Sequence, residues 1–213
     1  MRIKVEGRII EKTSNKTNYT HSTYSMILNN LTPDSAKLMH KKVKRFRFLT
    51  FTNIFIMEDK AHFYVAGEDD LINDFIAHLS FNQIVRIGDM VLNVINISPL
   101  SKLKEKEQYL FKTKLIINVN VNGKTTLCDD LSIVKERIIK NTLTKANKMG
   151  IKGNFRDLEI INPKRNIEKY KNGHINSWKC RVRLDCDYEV ANLVYNVGVG
   201  ENTATGHGFL WEV

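Results

Sequence analysis

Two hydrophobic periods alternate along this chain, and the order in which they alternate occurs twice. Arg2 to Ile10 reads as a strand, and Thr20 to Leu31 places Tyr24, Ile27, Leu28 and Leu31 at the i, i+3, i+4, i+7 spacing of one helical face. Thr32-Pro33-Asp34 then offers threonine as an N-cap and proline at the first helical position, which predicts a second short helix to about His40. Phe46 to Met57 is rich in Phe, Ile and Thr, and Ala61 to Ala66 follows the turn-like Glu58-Asp59-Lys60, so the two predict a hairpin. Leu71, Ile72, Phe75, Ile76 and Leu79 mark another amphipathic helix, and the β-branched stretch Ile84 to Ile97 closes the unit.

Ser98 to Gln108 is polar and alternates charge through Lys104-Glu105-Lys106-Glu107, as a linker does. After it the order repeats. Tyr109 to Val121 predicts a long strand, and Asp130 to Met149 a helix closed by Gly150, with Leu131, Val134, Ile138, Ile139, Ala146 and Met149 inward. Phe155 to Ile161 and Ser177 to Cys186 predict strands bracketing a loop with an Asn172-Gly173 turn signal. Glu189 to Tyr195 reads as a short helix, and Phe209 to Val213 as the last strand. A β, α, β, β, α, β order is the ferredoxin-like split βαβ arrangement. The expected fold is therefore α+β: two tandem ferredoxin-like (βαββαβ) domains, residues 1–97 and 109–213, joined by the linker 98–108.

A chain of 213 residues suits two domains of this size, and 42% hydrophobic with 26% charged residues is ordinary for a globular protein. No apolar run approaches the ~20 residues that cross a bilayer, and Met1-Arg2-Ile3-Lys4-Val5-Glu6 has no signal-peptide core, so the cytoplasm is the expected location. The three cysteines, Cys128, Cys180 and Cys186, form no C-x-x-C pair and predict buried thiols. The six histidines are scattered and no carboxylates cluster, so neither a metal nor a cofactor is expected.

The net charge of +10 points to a polyanionic partner. Lys37 to Arg47 carries six Lys/Arg and no acid, a phosphate track if it borders a site and a solvated face otherwise. Ser177 to Cys186 alternates strictly, with Trp178, Cys180, Val182, Leu184 and Cys186 on one side and Lys179, Arg181 and Arg183 on the other. Such a cationic face suits the backbone of an RNA stem, because A-form helices are read mostly by shape. Lys135, Arg137, Lys140, Lys145 and Lys148 on the long helix are expected to be solvated and are assigned no function.

Four of the eleven glycines form two pairs, Gly198/Gly200 and Gly206/Gly208, around the polar stretch 201–205. Glycine turns at positive φ and can bare backbone N–H groups, so a doubled Gly-x-Gly loop is a candidate phosphate cradle; the competing reading is a tight strand connection. The loop is not a dinucleotide fingerprint, whose third glycine falls here at Thr203, nor a Walker loop, because five residues separate Gly200 from Gly206 and His207 follows.

The doubled order, ending in a short helix, the paired glycines and an aromatic, resembles the repeat-associated RNA-binding proteins of CRISPR systems, and more narrowly their pre-crRNA-processing endoribonucleases, the "Cas six" family. Tyr24, Leu38-Met39-His40 and Lys44-Arg45-Phe46-Arg47-Phe48 are similar to that family's Tyr, Leu-His and Lys-x-Phe-x-Phe pattern. The chain departs from the pattern where His207 replaces the usual aromatic between the last glycines, and where Lys41, Lys42 and Lys44 leave the catalytic lysine open.

The resemblance implies a metal-independent endoribonuclease that cuts CRISPR repeat RNA in precursor transcripts into guide RNAs. His40 would serve as general base or acid, Lys44 would balance charge on the phosphate, and Tyr24 would orient it. RNA would be held by Lys41, Lys42, Arg45, Arg47, Lys179, Arg181, Arg183, Gly198, Gly200, Gly206, His207 and Gly208. His21, one turn before Tyr24, is the reserve proton carrier, and Tyr24 also fits a core position. The alternative is a non-catalytic RNA-binding subunit of a CRISPR effector complex. Beyond RNA, other effector subunits and a second copy of the chain are partners that the resemblance leaves open.

Overall fold

The protein's structure is a computed structural model, described for residues 1–14, 18–40, 48–170 and 173–213. It divides into two compact units, one of Met1–Lys102 with Ala204–Gly206 and one of Leu103–Thr203 with His207–Val213. Each is built on the ferredoxin-like plan.

In the first unit β1 (Arg2–Lys12) leads to α1 (Thr20–Asn29) and α2 (Pro33–His40), then β2 (Leu49–Phe51), β3 (Phe55–Met57), β4 (Lys60–Gly67), α3 (Asp69–Phe81), β5 (Ile84–Ile87) and β6 (Met90–Pro99). The strands form one antiparallel sheet in the order β2-β4-β1-β6-β5, with β3 also on β4. Strand alternation sends Ile3, Val5, Phe63 and Val65 to one face, where they pack with Ile27 of α1 and Ile72, Phe75 and Leu79 of α3. A side chain of this size contributes about 1.5–3 kcal/mol when it leaves water.

Two expected strands are broken here. The stretch read as one strand to Met57 interrupts at residues 52–54, because the Thr52 hydroxyl accepts the Tyr64 N–H at 3.1 Å and the Asn53 side chain accepts the Tyr19 N–H at 2.9 Å, just ahead of α1. Its start, Phe46 and Arg47, lies outside the described residues. Ile84 to Ile97 folds back on itself through a two-residue turn in which Gly88 has φ 67°.

In the second unit β7 (Tyr109–Leu115) precedes a separate hairpin of β8 (Asn118–Val121) and β9 (Lys124–Leu127), followed by α4 (Leu131–Lys148), β10 (Phe155–Tyr170), β11 (Gly173–Cys186), α5 (Tyr188–Val197) and β12 (Trp211–Glu212). The sheet order is β10-β11-β7-β12, antiparallel throughout. Asp130 caps α4, accepting the Ser132 N–H at 2.9 Å, and Gly150 closes it at φ 66°. Cys128, Cys180 and Cys186 are buried, and burial pushes the Cys180 and Cys186 thiols up to about 12.

Three expectations change in this unit. The strand from Tyr109 stops at Leu115, because the Ile116 carbonyl accepts the Glu201 N–H at 2.9 Å instead of continuing the ladder. The chain restarts as β8–β9, turned by Asn122 and Gly123 at φ 50° and 78°. The expected loop between Ile161 and Ser177 is a continuous hairpin that runs to the pair Tyr170–Gly173, with one irregularity between Ile161 and Lys164 where Asn162 takes φ 50°. Finally, the last strand is only Trp211–Glu212, although Phe209 and Leu210 before it are buried. Among the described residues no helix is long and apolar enough to cross a membrane.

Candidate nucleic-acid interface

The glycine loop follows α5, whose Val190, Ala191, Val194 and Val197 are buried. Gly198 ends the helix at φ 81°, and its N–H donates to the Val194 carbonyl at 2.9 Å. The Val199 N–H donates to the Gly208 carbonyl at 3.0 Å, and the Gly208 N–H to the Lys114 carbonyl of β7 at 2.7 Å. Between these points the Glu201 carboxylate accepts the Asn118 N–H at 3.0 Å and lies 3.8 Å from Arg137. Gly208, at φ 75°, is glycine by necessity, because a Cβ there would sit 2.1 Å from the Val199 carbonyl oxygen.

This geometry corrects part of the cradle expectation. The N–H groups of Gly198 and Gly208 are spent inside the protein and are not offered to a phosphate. Gly200, also at positive φ, lies against the Ile116 backbone. His207 is 1% exposed, so its ring is not presented as a stacking surface. Its charge acts on Glu168. Burial pushes that carboxyl up, but hydrogen bonds from Lys114 and Asn166 and the charges of Lys114 and His207 hold it below the usual carboxylate range.

Lys145 departs furthest from expectation. Read as solvated, it is 2% exposed and its ammonium donates to the Gly198 carbonyl at 2.9 Å, with burial lowering its pKa to about 8. The signal was available: Lys145 lies seven residues after the inward Ile138 and eleven after Val134, on the same stripe.

The cationic strand face is present. On β11 Lys179, Arg181 and Arg183 are exposed while Cys180, Val182 and Leu184 are buried. Cross-strand pairing widens the face, because Lys112 lies opposite Arg181 and both Lys114 and Lys164 lie opposite Lys179. Trp211 of β12 pairs with Lys112 at its edge. Arg183 is engaged by Glu159 and Lys114 by Glu168. Among the described residues Lys112, Lys164, Lys179 and Arg181 form no ion pair. Spacing along one strand pointed to the three β11 residues, whereas Lys112 and Lys164 needed the register.

In the first unit, the Tyr24 ring is half-buried on α1 and stacks on Phe51 at 6.3 Å between centroids and 10° between planes. Gly206 belongs to this unit, and a Cβ on it would lie 2.7 Å from the Thr20 methyl and 3.5 Å from the Phe51 ring. His21 is exposed one turn earlier. The start of α2 is tied to α3, with the Thr32 N–H and hydroxyl both donating to Asp74 at 3.0 Å. His40 is the last residue of α2, but its side chain lies outside the described part, as do Lys41, Lys42, Lys44, Arg45 and Arg47 entirely. The structure therefore brings Tyr24, Phe51 and Gly206 together and leaves the geometry of the proposed histidine–lysine set undescribed. No three His, Cys, Asp or Glu side chains converge as a metal site among the described residues.

The model of the family described as CRISPR associated protein Cas6, C-terminal, matches residues 100–211. Among solved structures, a RAMP protein binding different RNA substrates superposes with a TM-score of 0.82 at 21% identity, over 100% of this chain and 99% of that one. The product of a Cas6-related gene from Pyrococcus furiosus gives 0.83 at 21%, over 100% and 98%. A Cas6 product complex gives 0.67 at 12%, over 100% and 98%. At these identities the likeness establishes the fold. A comparison with curated proteins finds no match.

Proposed function

The chain belongs to the CRISPR-associated Cas6 family, whose role is the processing or binding of CRISPR RNA, and from that premise we propose that it is the endoribonuclease that cuts repeat RNA in precursor transcripts. The observation that carries RNA binding is the outer face of the second sheet, where Lys112, Lys164, Lys179 and Arg181 line up across three strands without a carboxylate partner among the described residues. Cations spaced by strands about 4.8 Å apart suit the phosphates of an RNA backbone and release its counterions on binding.

For the chemistry, the ribose 2′-oxygen attacks the adjacent phosphorus, the P–O5′ bond breaks, and the products are a 2′,3′-cyclic phosphate and a 5′-hydroxyl. One proton leaves the 2′-oxygen and one reaches the departing 5′-oxygen, and no metal is required for either transfer. His40 is the proton carrier in this reading, because an imidazole titrates near neutral pH. Lys44, or Lys41 or Lys42 in its place, balances charge on the phosphate. Tyr24, held against Phe51, orients it. Cytoplasmic location and the 1–97 and 109–213 domain division with its 98–108 linker belong to the same reading.

The test is incubation of the protein in EDTA with a 5′-labelled CRISPR repeat RNA from the same genome, beside His40→Ala and an RNA with one 2′-deoxy nucleotide upstream of the cut. Cleavage that survives EDTA and disappears with either change is the expected result. Tight binding by the wild type without cleavage would assign the chain to the non-catalytic RNA-binding subunits.

A further inference from the structure

We propose that Lys145 is the positioning residue of the glycine loop: its side chain fixes the one peptide that closes the loop's neck, and through it the conformation in which the loop meets RNA. The proposal rests on the reading of the loop as an RNA contact.

The argument starts from the freedom of that peptide. Gly198 has φ 81° and ψ 161°, a region open essentially to glycine alone, so backbone sterics do little to hold the Gly198–Val199 peptide in one orientation. Hydrogen bonds must do it. The carbonyl of this peptide accepts from the Lys145 ammonium at 2.9 Å, and its N–H, on Val199, donates to the Gly208 carbonyl at 3.0 Å. A peptide is planar, so holding its oxygen orients its N–H. The Val199–Gly208 bond is the bridge across the neck, and Gly208 is anchored in turn by its own N–H on the Lys114 carbonyl at 2.7 Å. Lys145 thus stands at the head of a relay running from α4 through Gly198, Val199 and Gly208 to β7.

The side chain is costly to place there. It is 2% exposed, in a stripe otherwise made of Val134, Ile138, Thr142 and Ala146, where a methionine would fill similar space without dehydrating an amine. What methionine lacks is a donor for a buried carbonyl at the C-terminal end of α5. A lysine reaching the last carbonyls of a helix is a recurrent device. Here the carbonyl belongs to the first residue of the glycine loop.

The experiment compares the wild type, Lys145→Met and Lys145→Arg. Thermal melting establishes that each folds, hydrogen exchange follows the Val199 and Gly208 amides, and two numbers are taken with CRISPR repeat RNA: the Kd and the cleavage rate at saturating RNA. Lys145→Met is expected to speed exchange at Val199 and to raise Kd about tenfold, the loss associated with one charge-assisted hydrogen bond, with the saturating rate little changed. Lys145→Arg, which keeps a donor, recovers most of the affinity. If Lys145→Met does not fold, Lys145→Leu, which likewise has no donor for the Gly198 carbonyl, is read the same way. An unchanged Kd beside faster exchange overturns the proposal and leaves Lys145 as a helix cap. A rate that falls with Kd in step with the melting temperature also overturns it. A wild type that neither binds nor cleaves repeat RNA defeats the functional reading instead, and the exchange result still reports whether Lys145 holds the neck.

Discussion

Strand β11 and helix α4 both carry cations at regular intervals, yet they use them in opposite ways. On β11 the period of two sends Lys179, Arg181 and Arg183 out together, and every side chain between them goes into the core. On α4 the lysines and arginines are more numerous, but 3.6 residues per turn rotates them around the axis: Lys140 is exposed while Lys145, five residues later, points inward beside Ala146. A run of like charge on a strand is therefore one surface, whereas on a helix each member must be placed against the apolar stripe before it is counted as solvent-facing.

Substitutions that treat the two elements alike should separate them, and the largest difference is expected in stability. Lys145→Ala removes a donor to a buried carbonyl and opens a cavity, so urea melts should show a loss of about 2–4 kcal/mol. Arg181→Ala should stay within about 0.5 kcal/mol, since it touches neither core nor cap.

A second contrast lies in pH. The lysine pKa falls from 10.5 to about 8 in the folded protein because burial disfavours the charged amine. Between those values the unfolded chain binds more protons than the folded one, so stability should rise as pH goes from about 8 toward 10.5 and be insensitive to this group below that window. The wild type minus Lys145→Met difference, which cancels the other titrating groups, should change by on the order of 2–3 kcal/mol across it. A flat difference would mean that the amine keeps an ordinary pKa.

RNA binding sharpens the comparison from the other side. Arg181→Ala should reduce the slope of log Kd against log salt by about 0.7–0.9 for repeat RNA, and Lys112→Ala, on the neighbouring strand, by a similar amount. The smallest effect is expected from Arg183→Ala, because Glu159 already neutralises that guanidinium. If Arg183 proves the stronger contributor, the ion pair opens on RNA binding and the face is wider than the free protein shows.

Much of this fold was legible from periodicity. The helical face of α1, the capped α4 and the alternation of β11 follow from spacing within one element, which needs no partner. Two of the strand breaks were not legible, because a distant group causes them: Asn53 accepting the N–H of Tyr19, and Glu201 donating its N–H to the carbonyl of Ile116. Asn122-Gly123 was a local signal passed over, since the β-branched residues on either side read as one strand.

The candidate site divides along the same line. By itself the sequence determined which residue types could meet RNA: the outward cations of β11, and four glycines in a loop that no nucleotide-binding pattern matches. Only the tertiary structure decided what those glycines do. Gly198 spends its N–H on the Val194 carbonyl of α5 and Gly208 on the Lys114 carbonyl of β7, His207 is buried, and a lysine from a helix fifty-three residues away holds the loop's first carbonyl. A backbone N–H is satisfied by whatever acceptor the fold brings within about 3 Å, and that choice of partner is not encoded in the glycine's own neighbours.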